Sequence, residues 1–160
     1  MSPQMNIVVL FIGLALFPQA HGREIQKNAA RSDEDHIRET VIRDVYKKTG
    51  LELPLFIEVE GHDPDSNFLE RFAGQAPVVK PRSASRSVRK HKVIEEVLDK
   101  KTKARGIVLS VGKIHWRTSI EVEVSAGYYC GSLCSGSYQY VLAKEGLAWV
   151  VKEARLIVIS

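Results

Sequence analysis

Little in this sequence announces chemistry. None of its five histidines stands four residues from another, the spacing that sets two imidazoles on one helix face, so a helix-borne metal pair is excluded. Asp63-Pro64-Asp65-Ser66-Asn67 starts like a calcium loop. Its sixth position is Phe68 where glycine is needed, and Gly74 stands where a bidentate glutamate belongs, so the usual calcium-binding hand is excluded too. No internal repeat and no second domain can be traced in 160 residues. No catalytic or cofactor motif of high specificity occurs, and no cofactor is implied. The apolar run Ile7–Phe17 has 11 residues, well short of the roughly 20 that cross a bilayer as a helix.

That run has another use. Pro18, Gln19 and the small residues around Ala20-His21-Gly22 follow it, as in a secretory signal peptide cleaved near Gly22. No lysine or arginine precedes the run, and no cysteine at the cleavage region argues for a lipid anchor. The expected layout is a signal peptide over residues 1–22, a flexible leader over 23–31 and a single domain over 32–160. The expected location is outside the cytosol, periplasmic or secreted.

Cysteine is scarce. Cys130 and Cys134 are the only two, separated by Gly131-Ser132-Leu133 in a tight connection between strands. In an exported chain such a pair is expected to form a disulfide. A redox pair more often has two intervening residues at a helix N-terminus, and a metal site needs further ligands.

The last third reads as antiparallel strands. Ile120, Val122, Val124 and Ala126 alternate with Ser119, Glu121, Glu123 and Ser125, and Tyr138, Tyr140 and Leu142 alternate with Ser137, Gln139 and Val141. This is the period of a strand with one wet face. Lys144-Glu145-Gly146 supplies a turn, and Leu147–Ile159 a last strand. Upstream, Ile107, Leu109 and Val111 give way to Ile114 and Trp116, a change of parity at Gly112 that predicts a β-bulge. A helix is expected to open at Ser32 with a capping-box pattern, carry Ile37, Val41, Ile42 and Val45 on one stripe, and stop at Gly50. Leu53–Glu60 reads as a strand, Asp65 or Ser66 as the cap of a short helix bearing Phe68, Leu69 and Phe72, and Gln75–Lys92 as a surface loop. Glu95–Lys101 reads as one helical turn or more of that loop.

The fold class is therefore α+β, an N-terminal amphipathic helix packed on a curved antiparallel β-meander. Asp63-Pro64 with Phe68-Leu69-Glu70-Arg71-Phe72, then Trp149-Val150-Val151 and the terminal Ile159-Ser160, resemble small uncharacterised exported bacterial proteins over most of residues 33–160. In architecture the helix and sheet are similar to the NTF2-like and cystatin-like folds. That resemblance implies a cone-shaped fold able to host enzymes, ligand binders or assembly modules, and does not choose among them.

Three functional readings compete. The first is a non-enzymatic domain binding a small ligand or an envelope protein between helix and sheet, with Trp116, Tyr138, Tyr140 and Trp149 as the candidate pocket. The second is a small enzyme using His62, beside Asp63 and Asp65, or His115 with a nearby carboxylate. The third is an envelope-associated module. Lys80, Arg82, Arg86, Arg89, Lys90 and Lys92 form a basic run without an acid, a candidate site for an anionic envelope surface. No aromatic residue interleaves those charges, which disfavours nucleic acid. The balance leans away from an enzyme.

Overall fold

The computed structural model describes residues 20–90 and 94–160. The expected signal peptide lies outside the described residues except for its last three. A long helix, α1 (Ala20–Thr49), comes first. The segment 23–31, expected to be a loose leader, is part of it, and Ser32 sits inside the helix rather than capping it. The physical reason is compositional: neither glycine nor proline occurs from Arg23 to Thr49, and Ala29, Ala30, Glu24, Gln26 and Lys27 are strong helix formers. The C-terminal stop is as the sequence indicates, with Gly50 in the left-handed region at φ 64°.

Eight strands then build one mixed, mostly antiparallel sheet. They are β1 (Leu55–Val59), β2 (Val79–Pro81), β3 (Ser85–Lys90), β4 (Ile94–Asp99), β5 (Ile107–Thr118), β6 (Glu121–Gly131), β7 (Cys134–Glu145) and β8 (Ala148–Ile159). A short helix, α2 (Ser66–Glu70), lies between β1 and β2. β5 to β8 are the expected antiparallel meander, and the β5–β6 register slips between Val111 and Ile114, where the bulge was expected.

Three expectations are corrected. The sheet is not purely antiparallel, because β1 runs parallel to both β2 and β5. Gln75–Lys92 is not all loop, since it holds β2 and β3. Glu95–Lys101 is not a helical turn, because its first part is β4, paired antiparallel with β3. Lone runs such as Arg86-Ser87-Val88-Arg89 look like solvated loop until a partner strand satisfies their backbone.

The hairpin has a clear task. Leu55-Phe56-Ile57 and Ile107-Val108-Leu109 are buried throughout, so β1 and the start of β5 are covered on both faces. On one face Leu55, Ile57, Ile107 and Leu109 meet α1. On the other, Phe56 and Val108 form a second cluster with Val97 of the hairpin, flanked by Ala84 and Tyr129. The hairpin joins β6 where that strand runs past the start of β5, through Glu96 opposite Gly131. Gly131 has φ 148°, and a side chain there would collide with the Glu95 carbonyl.

The helix stripe is as predicted. Ile37, Val41, Ile42 and Val45 are buried and join Val122, Val124, Tyr140, Leu142 and Trp149 in the main core. Polar bonds fix the helix on the meander. Tyr140 Oη donates to Asp44 Oδ2 at 2.8 Å, and Trp149 Nε1 donates to Asp33 Oδ1 at 3.1 Å. Lys144 Nζ reaches both oxygens of Asp33, at 2.9 and 2.7 Å. Buried polar tips left without such partners would cost about 1–3 kcal/mol each.

Candidate functional site

The aromatic quartet separates into core and surface. Tyr140 is fully buried, Trp149 and Tyr138 nearly so, whereas Trp116 is 44% exposed. Tyr138 and Tyr140 stand 6.0 Å apart between ring centroids, and Trp116 meets Trp149 edge-to-face at 5.5 Å. Tyr138, Tyr140 and Trp149 fill the space between helix and meander, and Trp116 covers the edge of Trp149 from outside. Burial raises the Tyr140 hydroxyl well above the ordinary phenol range, and the Asp44 carboxylate it donates to adds to the shift. It is held as a protonated donor.

His62 and His115 make no hydrogen bond to a carboxylate among the described residues. His62 is exposed, its Nδ1 2.9 Å from the Glu60 carbonyl oxygen, while Asp63 accepts from the Ser83 amide at 2.9 Å and Asp65 from the Phe68 amide at 2.8 Å. The bonds from Ser83 hold the Asp63 carboxyl below its usual range. Asp65 is thus the cap of α2, and Ser66, the other cap residue the sequence offers, is its first helical residue. His115 is exposed on β5, opposite Glu123 across the ladder, and Glu123 is bound by Arg117.

The two sulfurs of Cys130 and Cys134 are at bonding distance, with Cα atoms 5.2 Å apart, on the turn joining β6 to β7. A two-residue connection, Ser132-Leu133, is closed by this staple.

The basic run is divided. Lys80 binds the buried carboxylate of Asp99 at 2.5 Å, and Arg82 lies 3.9 Å from Glu58. Asp99 also accepts from the amides of Lys101 and Thr102, at 2.7 and 2.9 Å. The Lys80 bond, with these amides, outweighs burial and drives its carboxyl far below the ordinary range. These two cations are structural. Arg86 and Arg89 project from β3, exposed and without an ion-pair partner among the described residues. Lys90 ends the strand, and Lys92 lies outside the described residues.

The sequence reading missed a groove beside α1. Its inner lobe, about 200 Å³, is walled by Ile42 and Tyr46 of α1, Leu55 of β1, Phe72, Pro77 and Val79. The outer lobe, about 550 Å³, shares Tyr46, Ala76 and Pro77 with the inner one and extends past Lys47 to Leu51. Arg43 closes the rim. Its guanidinium lies 4.9 Å over the Phe72 ring, donates to Glu39 Oε1 at 2.9 Å and to Gln75 Oε1 at 2.5 Å. An apolar floor under a polar rim is the ordinary build of a small-molecule site. Burial pushes up the Tyr46 hydroxyl, with Glu52 adding to the shift, so it too is a neutral hydrogen-bonding group. The only sequence signal was Phe72, an apolar residue assigned to a short helix with no partner named.

Compared with known protein families, curated proteins and solved structures, the chain matches none.

Proposed function

We propose that this protein is an exported, non-enzymatic binding domain whose ligand site is the groove between α1 and the α2–β2 connection. The observation that carries the reading is the groove itself, with Ile42, Leu55, Phe72 and Val79 as floor and Arg43, Gln75 and Lys47 at the rim. A small, mostly apolar ligand fits this chemistry. Export is supported by the apolar run before Ala20 and by the cysteine pair. Among the described residues no helix is long and apolar enough to cross a membrane. A single long helix laid on a largely antiparallel sheet is in keeping with the NTF2-like and cystatin-like resemblance.

Titration with the fluorescent probe 1-anilinonaphthalene-8-sulfonate tests the site. One saturable equivalent is expected, with affinity lowered about tenfold or more by Ala76→Trp, which fills the place where the two lobes meet. Binding that ignores this substitution would place the ligand elsewhere. Native mass spectrometry of protein taken from its own host would then show the natural ligand.

A second reading rests on Arg86 and Arg89, two cations on one edge strand with no ion-pair partner among the described residues. They suit an anionic envelope surface, and the attraction should fade with salt. Co-sedimentation with phosphatidylglycerol vesicles, lost in the Arg86→Ala/Arg89→Ala variant, is the expected result; equal sedimentation of the variant would remove this reading.

A further inference from the structure

Among the described residues β8 is an edge of the sheet: it pairs with β7 alone, over Ala148–Ile159, and its other side carries backbone N–H and C=O groups with no strand partner there. Its C-terminal end is apolar and exposed, with Leu156 at 48%, Ile157 at 53%, Val158 at 56% and Ile159 at 66%. Four consecutive exposed apolar residues on a free edge form a template for another strand. The remaining edge strands differ. β2 is only three residues long, and β3 presents Arg86 and Arg89, charges that protect an edge.

We infer that β8 pairs antiparallel with β8 of a second copy of this chain, about a two-fold axis passing through Ala154. The charges choose this register. Glu153 and Arg155 are exposed on the same face of β8, and neither has an ion-pair partner within the chain among the described residues. With Ala154 opposite its own copy, Glu153 of each protomer faces Arg155 of the other, so the two-fold axis makes two Glu153–Arg155 pairs. The same register sets Val150 against Val158 and Trp149 against Ile159, and each of these pairs shares a face of the sheet in the β7–β8 ladder. Alanine at the centre lets the two backbones approach. The pairing would extend the sheet across both protomers and place both copies of α1 on one side of it.

Sedimentation-velocity measurements on the full chain over a range of concentrations test this. A reversible monomer–dimer equilibrium is expected. Arg155→Glu and Glu153→Arg should each weaken the dimer about tenfold or more, because like charges then face each other, while the double reversal should restore it. Circular dichroism of the single variants should match the parent, since neither side chain touches the core. A chain that is monomeric at every concentration would overturn the inference. So would a dimer indifferent to the single reversals, or an edge that binds phosphatidylglycerol vesicles as a monomer and loses that binding on Val158→Lys.

Discussion

The meander β5–β8 and the segment from β1 to β4 are halves of one sheet built on different logic. In the meander, neighbours in sequence are neighbours in space, joined by turns such as Ser119-Ile120 and Gly146-Leu147. One face is wet, so Val122, Val124, Tyr138, Tyr140 and Leu142 recur at every second position. In the other half β1 lies parallel to β5 across some fifty intervening residues, and its apolar run Leu55-Phe56-Ile57 is buried on both faces. Local period therefore describes the first half and is erased in the second. The meander also holds the larger core, whereas the hairpin β3–β4 contributes chiefly Val97 to a small cluster on the reverse face.

The sharpest way to break that comparison is to empty each core in turn. Tyr140→Ala should cost about 3–5 kcal/mol, because it opens a cavity under α1 and strips Asp44 of its phenolic donor. Val97→Ala should cost about 2 kcal/mol. Urea unfolding measures both; equal losses would mean that the hairpin face is as important to stability as the helix face. Next comes the staple. Replacing both Cys130 and Cys134 by serine should lower stability by about 2 kcal/mol, the chain-entropy value for so short a loop. A loss near zero would show that the β6–β7 turn closes without it.

A smaller effect concerns pH. Burial alone would raise the Asp33 carboxyl; the bonds from Lys144 and Trp149 together outweigh it, and the native value lies below the ordinary 3.8. The unfolded chain thus takes up a proton before the native one does. The contribution of Asp33 is full above pH 3.8 and lost as pH falls through the lowered native value. Thermal melts of Asp33→Asn should show a lower Tm than the parent at neutral pH and a gap that narrows on acidification below that point. A gap that stays constant would assign the effect to packing instead.

Much of the chain was readable wherever a few adjacent residues decide the structure. The stripe Ile37, Val41, Val45, the bulge at Gly112, the cap at Asp65 and the staple each depend on a few adjacent positions, and each stands where expected. The start of α1 was not, because Ser32-Asp33-Glu34-Asp35 carries a capping pattern whether or not the preceding turn is already helical. β3 and β4 were hidden by their charges. Arg86, Arg89, Glu95 and Glu96 belong to strands only by virtue of pairing with each other and with Gly131. Tyr138, Tyr140 and Trp149 are buried in the main core, while Trp116, grouped with them as a candidate pocket, is exposed; whether such rings line a space or fill it depends on how closely α1 approaches. The groove escaped notice because its walls come from four separated stretches, around Ile42, Leu55, Phe72 and Val79.

The claim that everything functional here rests on is that ligand occupies the groove beside α1 and not the space beneath it. Methyl-resolved NMR during addition of 1-anilinonaphthalene-8-sulfonate addresses this directly. The probe's ring currents should shift the methyl signals of Ile42, Leu55 and Val79 and leave those of Val122, Val124 and Leu142 in place. Shifts confined to the latter three would contradict the account.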